Sequence, residues 1–351
     1  MLTQYRHEEE KRNEERNNIM NTFAITGATG HIGYRTAELL LERGCKVRVV
    51  ARHPEKLEPL VKKGAEAAVG SLADSEFLTR AFHGAEAVFA MIPPDYQAEN
   101  VRNAQTRIGA CIADSVRAAG VKHVVNLSSQ GAELPLGTGP IAGLHEQEER
   151  LDQLPGVNVV HLRAAFFMEN LESSIGLIKT QGIIGTPLKG DLKLPVIATR
   201  DIARVAADSL VGPGFTGRVV RDLLGQRDLS MVEMTGILAT AIGKPELRYV
   251  QFPYESAKLA MLGMGLSPDV ARVFIEMYQA LNERWIMSDL VRTPANTTET
   301  SFEAYASEFA LLYAGAPSET PAARGEPKEE ERTTRRWRSG RNGAEPRRKA
   351  A

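Results

Sequence analysis

The chain has 351 residues, 43% of them hydrophobic, enough to bury a full core in one large or two smaller domains. Its formal net charge is −1, with 43 Lys and Arg against 44 Asp and Glu, so no global field points to nucleic acid or to a membrane surface. No apolar run approaches the roughly twenty residues of a membrane helix, and the charged start has no apolar signal core, which points to a cytoplasmic protein.

Residues 1–20 are dominated by His7-Glu8-Glu9-Glu10-Lys11-Arg12-Asn13-Glu14-Glu15-Arg16 and bury too little apolar area to offset ordering entropy, so they read as disordered. The globular part opens on the β-type run Phe23-Ala24-Ile25, which passes through Gly27-Ala28-Thr29-Gly30-His31-Ile32-Gly33 into a helical pattern from Gly30 to Arg43, stopped by Gly44. Spaced glycines between a strand and a helix suit the pyrophosphate of a dinucleotide. The first permits a sharp turn, the second lets backbone N–H groups approach phosphate, and the third lets helix and strand pack closely. Gly27, Thr29, Gly30, His31, Ile32 and Gly33 are therefore candidate cofactor-binding residues, and the helix offers them the positive end of its dipole.

Further strand candidates run from Val47 to Ala51, Glu66 to Val69, Ala87 to Ile92, His123 to Leu127 and Val157 to Leu162. Helical patterns lie between them, from Pro54 to Lys63, Asp74 to Phe82, Asn100 to Ala119 and Leu144 to Leu154. This alternation predicts an α/β fold, a Rossmann-type doubly wound parallel sheet whose ligand crevice lies outside the carboxyl ends of the strands. Residues 21–160 are assigned to the dinucleotide-binding domain. From 161 to 313 the rhythm loosens, with helical patterns at Asp201 to Leu210, Ser230 to Ile242, Tyr254 to Gly263, Ser267 to Arg284 and Ser301 to Leu312, and a smaller C-terminal substrate-side subdomain is expected within the same compact unit. Residues 314–351, rich in Pro, Gly, Glu and Arg, read as a disordered tail; the charged ends are either solvated or an electrostatic contact for a protein partner.

A NAD site carries an acid at the end of the second strand, and here that end reads Ala51-Arg52-His53-Pro54-Glu55-Lys56. Arg52, with Lys56 a turn later, suits a 2′-phosphate, which favours NADP(H) over NAD(H). Ser71, Ile92 and Pro93 lie in loops at strand ends and are expected to flank the adenine and the nicotinamide ribose. Cys45 and Cys111 are the only cysteines and sit in no metal-like cluster, so they read as buried thiols, and neither a metal nor a flavin is expected.

With these residues assembled, the chain resembles the NmrA-like branch of the atypical short-chain dehydrogenase/reductase superfamily. The resemblance spans roughly Asn21 to Tyr313 and rests on four segments. They are the glycine loop, Val124-Val125-Asn126-Leu127-Ser128-Ser129-Gln130-Gly131-Ala132, Leu162-Arg163-Ala164-Ala165-Phe166-Phe167-Met168-Glu169-Asn170, and Thr199-Arg200-Asp201-Ile202-Ala203. It implies quinone and azo-dye reductases, isoflavone-type reductases or redox-sensing regulators. Ordinary members of the superfamily use a Tyr-x-x-x-Lys pair after the fifth-strand serine, but no tyrosine occurs here from Gln97 to Arg248. Tyr254-Glu255-Ser256-Ala257-Lys258 has the spacing far along the chain and reads as a surface tyrosine and lysine on a helix. The matching helix carries His145 and Glu149 on one face. His145 is the catalytic candidate as a proton donor; the alternative is a loop-positioning histidine partnered by Glu149.

Ser128 is expected at the cofactor, and Ser129, Phe166, Met168 and Asn170 in the substrate pocket, with Phe167 as plain core. The reading is an NADPH-dependent oxidoreductase that passes hydride directly to a small electrophilic acceptor, a quinone, whose reduced form water can protonate. Two alternatives stand beside it: a non-catalytic NADP(H)-sensing regulator, and a nucleotide-sugar epimerase-like enzyme, disfavoured by the missing tyrosine. A homodimer is left open.

Overall fold

A computed structural model describes residues 21–286 and 290–315; the charged segments at 1–20 and 316–351, for which disorder and partner contacts are expected, lie outside the described residues. The chain alternates as the hydrophobic pattern requires. Strand β1 (Thr22–Ile25) leads into α1 (His31–Glu42), then β2 (Lys46–Ala51), α2 (Glu58–Lys62), β3 (Glu66–Val69), α3 (Ser75–Phe82), β4 (Ala87–Ala90), α4 (Val101–Ala119), β5 (His123–Ser129), α5 (Ile141–Asp152) and β6 (Asn158–Ala164). Side-chain caps set several starts: Asp74 accepts from the Phe77 amide at 3.0 Å and Asn100 from the Asn103 amide at 2.8 Å. Gly120, at φ 71°, ends α4 in the left-handed conformation open to glycine.

Beyond β6 come β7 (Phe166–Phe167), α6 (Ile175–Gln181), β8 (Ile183–Thr186), β9 (Leu194–Ile197), α7 (Thr199–Val211), β10 (Arg218–Leu223), β11 (Asp228–Leu229), α8 (Met231–Ala241), β12 (Arg248–Gln251), α9 (Tyr254–Gly263), α10 (Pro268–Asn282) and α11 (Phe302–Tyr313). The main sheet has seven strands in the order β10-β6-β5-β4-β1-β2-β3, and every pairing is parallel. The order reverses between β1 and β4, where a doubly wound sheet opens its crevice. One face, with Phe23, Ile25, Val49, Phe89 and Val125, packs on α1 and α7 through Ala37, Leu40, Ile202 and Ala206. The other, with Ala24, Val50, Val88 and Val124, packs on α3 and α4 through Leu78, Phe82, Ile112 and Val116.

Three details differ from the periodicity. The helix expected from Pro54 to Lys63 is a 3-10 turn, Pro54–Lys56, followed by α2, because Pro59 has no N–H to donate into the preceding turn and so restarts the helix. The helix expected from Leu144 starts at Ile141, after Pro140, whose fixed φ of −66° suits a helix start. The seventh strand, β10, was not expected as a strand: it lies at the sheet edge with Arg218, Val220 and Arg221 exposed, so its apolar signal is weak.

A second core lies on the C-terminal side, where α8, α11, β8 and β9 pack around Ile184, Leu194, Met234, Phe302 and Phe309. Two carboxyls are enclosed beside it. Glu169 Oε1 accepts from the Thr199 amide at 2.9 Å and hydroxyl at 2.6 Å. Burial, then the charges of Glu169 and Glu308, push Glu172 up to about 7. Its folded pKa therefore exceeds its unfolded one, so its contribution to stability is complete below about pH 4.5 and is lost as pH rises through 7. In thermal melts, Glu172→Gln is expected to raise Tm at pH 8 and to change it little at pH 5; an equal shift at both values would refute the linkage.

Candidate functional site

The glycine loop joins β1 to α1 at the carboxyl edge of the sheet, and each glycine has a distinct cause. Gly27 has φ +64°, and a Cβ there would lie 2.0 Å from Met91 Sδ. At Gly33 a Cβ would lie 2.3 Å from the Gly27 carbonyl oxygen, so only hydrogen lets α1 pack on the turn. Gly30 is different. Its φ of −94° is open to any residue, and a Cβ would meet nothing closer than the Gly27 oxygen at 3.5 Å, an ordinary contact.

Protein packing thus explains two glycines and leaves the third, at the N-cap of α1, facing an open cradle. No side chain caps that helix end, and its first turn holds no acid. The backbone N–H groups there are the donors an anion would take. Burial lowers the pKa of His31, the first residue of α1, so the loop carries no imidazolium charge of its own at neutral pH.

Around this loop the sequence candidates separate. Arg52 is exposed at the end of β2 and has no hydrogen-bond or ion-pair partner among the described residues. Lys56 sits on the 3-10 turn that follows. Ser71 is exposed, its hydroxyl accepting from the Ala73 amide at 3.2 Å. The uncapped helix end, with Arg52 exposed at the end of the neighbouring strand β2, fits a dinucleotide.

Next to the loop lies a cavity of about 260 Å³. Met91, which blocks a side chain at Gly27, also lines this cavity, so the two sites share a wall. The loop after β4 supplies Ile92, Pro93 and Tyr96; β5 supplies Leu127, Ser128 and Ser129; α5 supplies Ile141 and Leu144; and α10 supplies Val270 and Phe274. No Lys or Arg is among the lining residues. The α10 wall is latched to the loop after β4. Ser267 Oγ donates to the Ala98 carbonyl at 2.6 Å, Asp269 accepts from the Val101 amide at 2.8 Å, and Gln97 donates to the Gly265 carbonyl at 2.6 Å. A Cβ at Gly139 would lie 2.0 Å from the Val273 carbonyl oxygen, so the turn before α5 meets α10 through a bare backbone.

The acceptor-side candidates fall differently from the expectation. Phe167, read as core, does pack on the main core but also lines the cavity, whereas Phe166 packs on the second core. Their side chains leave opposite faces of β7, so only one can point inward. Met168 is 1% exposed within that second core, which corrects its assignment to the pocket. Asn170 is exposed, and its carbonyl accepts from Ser173 Oγ at 2.8 Å.

His145 does not line the cavity. Its Nδ1 donates to the Ala132 carbonyl at 2.8 Å, and its Nε2 lies 3.5 Å from Glu149. Tyr254 is tied to Asn282, whose amide donates to its hydroxyl at 2.8 Å.

Register carries a polar ladder under the cavity floor. Ser128 pairs with Arg163 and Asn126 with His161 across β5 and β6, so all four share the face that α5 covers. Glu148 and Asp152, one turn apart on α5, meet them: Ser128 Oγ donates to Glu148 at 2.5 Å, Arg163 grips both Glu148 oxygens at 3.0 and 2.6 Å, and His161 Nε2 donates to Asp152 at 3.0 Å. Burial opposes the Arg163 charge, but the Glu148 hydrogen bonds and charge more than offset it and hold its pKa above the usual arginine value. Sequence reasoning singled out neither Glu148 nor Tyr96. Among the described residues, no group of three or more His, Cys, Asp or Glu is placed to hold a metal, and no helix is long and apolar enough to cross a membrane.

Comparison with known proteins supplies the remaining constraint. The model of the NmrA-like family matches residues 20–309. An NAD(P)H azoreductase of Xenophilus azovorans is 31% identical over 83% of this chain and 98% of its own length. Quinone oxidoreductase 2 of Escherichia coli is 27% identical over 71% of this chain and 84% of its own. The crystal structure of Citrobacter sp. triphenylmethane reductase complexed with NADP(H) superposes with a TM-score of 0.69 at 21% identity, covering 82% of this chain and all of that one.

The two kinds of glycine separate by substitution. Gly30→Ala is expected to keep Tm within about 2 °C and to weaken binding of a nicotinamide dinucleotide at least tenfold by titration calorimetry, since its methyl fills the cradle alone. Gly33→Ala, forced against backbone, is expected to lose about 1–3 kcal/mol or more of folding stability in urea melts.

Proposed function

This chain belongs to the NmrA-like family, and on that premise we propose that it is an NAD(P)H-dependent oxidoreductase that prefers NADPH and reduces a neutral, quinone-like acceptor without a Tyr-Lys pair. The single observation that carries the reading is the shared Met91 wall, which sets an apolar cavity directly beside an open, anion-ready glycine loop.

The backbone of Gly27 to Gly33 and the N-terminus of α1 hold the pyrophosphate, while Arg52, with Lys56, pairs with the 2′-phosphate. Ile92, Pro93 and Ser128 flank the nicotinamide ribose, and Ser129 and Phe167 face the acceptor. The reduced nicotinamide supplies a hydride when bound. The residues of the chain orient the acceptor and exclude water from it, an effect that favours a close and dry encounter. Lining without Lys or Arg favours a neutral acceptor over a phosphorylated or carboxylated one.

His145 positions the turn at Ala132 through its Nδ1 hydrogen bond and stays outside the chemistry. A preformed acceptor cavity is what a reductase needs and a dinucleotide sensor does not, and α5 has no tyrosine for an epimerase-like mechanism.

Mixing the protein with NADPH and a panel of small quinones while following nicotinamide absorbance tests the reading. Consumption of NADPH is expected; tight NADPH binding without consumption sinks it. Arg52→Glu is expected to lower the kcat/KM preference for NADPH over NADH at least tenfold, about 1.4 kcal/mol, with Tm unchanged because the side chain is exposed.

A further inference from the structure

Reduction of a quinone needs a proton as well as a hydride, and three hydroxyl-bearing residues line the cavity, Tyr96, Ser128 and Ser129. Two are already committed. Ser128 Oγ donates to Glu148 at 2.5 Å, and Arg163 grips both oxygens of the same carboxylate at 3.0 and 2.6 Å. Ser128 therefore meets the cavity with lone pairs only. Ser129 Oγ donates to the Gln130 carbonyl at 3.0 Å.

The Tyr96 hydroxyl makes no hydrogen bond to another residue among the described residues. Its ring lies 6.4 Å from that of Phe274, and its backbone carbonyl accepts from the Ser267 amide at 3.0 Å, which fixes the residue where the loop after β4 meets α10. Half of its surface remains in contact with water.

We infer that Tyr96 is the proton donor to the reduced acceptor, a step that rests on the reductase reading above. The Oη–H bond breaks as an O–H bond forms on an acceptor oxygen. The electron pair arrives with the hydride, so one hydride and one proton complete the conversion of quinone to hydroquinone. The phenolate left on Tyr96 takes its proton back from water at the exposed side of the ring. The residue thereby fills, from the loop after β4, the role that a tyrosine on α5 would otherwise hold. Partial burial holds the phenol above the usual tyrosine pKa, so the proton is present throughout the neutral range.

Tyr96→Phe keeps the ring against Phe274 and removes only the proton. With 1,4-naphthoquinone as probe, equilibrium dialysis against the cofactor-free protein is expected to show binding weakened about threefold or more, as for loss of one hydrogen bond. Under saturating NADPH, kcat is expected to fall at least about tenfold at pH 8.5 and to recover toward wild type at pH 6, where solvent acid substitutes for the phenol. A loss of the same size at both pH values assigns Tyr96 to packing and overturns the inference. A variant equal to wild type in both binding and rate also overturns it, and leaves the reductase reading standing. A wild-type protein that binds naphthoquinone through Tyr96 but consumes no NADPH overturns the reductase reading, and with it the proton transfer.

Discussion

The structure depends on one close approach, the seating of α1 on the turn after β1. There a hydrogen on Gly33 faces the Gly27 carbonyl oxygen at a distance that admits no carbon. Because the helix lies so near the strand, its N-terminal amides project into the crevice where the strand order reverses. The same turn requires the positive φ of Gly27, whose missing side chain is replaced by the thioether of Met91. One backbone geometry therefore aims the uncapped amides of α1 and draws the loop after β4 across to form the cavity wall.

A second constraint acts through register. Parallel pairing of β5 with β6 sets Ser128 beside Arg163 and Asn126 beside His161, and two carboxylates one turn apart on α5 close both tiers. A buried ion pair adds little net stability when its desolvation is counted, but it leaves few alternatives for how helix and sheet meet. The cavity floor inherits that rigidity: Ser128 has one orientation because Glu148 has one, and Glu148 is held by a two-point contact with Arg163.

Most of the main sheet was legible in the chain. Its central strands, β1, β4, β5 and β6, are short runs buried on both faces, and helices open at Asp74 and Asn100 beside the sheet and at Ser230, Ser267 and Ser301 beyond it, residues whose side chains accept from the first-turn amides. The glycine loop was legible for the same reason, since its chemistry is local. What depends on distant partners was not. The strands β7, β8, β9, β11 and β12 span two to four residues each and exist only because of what they pair with. The face of β7 that turns inward is fixed by β9, so nothing local separates Phe166 from Phe167. Tyr96 gains its place from α10, and Glu148 from a strand register, and neither leaves a mark in the residues around it.

The latch between the loop after β4 and α10 has a consequence for the order of assembly. Ser267 and Ala98, joined by one of its hydrogen bonds, are 169 residues apart in the chain, and the Gln97 bond to Gly265 spans 168. Closing so long a loop carries an entropic cost that nearby pairings avoid, and such contacts form late. The turn after β1 joins neighbouring segments and can assemble while the distal half is still unstructured. The glycine turn therefore rests on contacts local in the chain, whereas the cavity wall rests on contacts that span nearly half of it, and loosening of the distal half reaches the cavity before it reaches the turn.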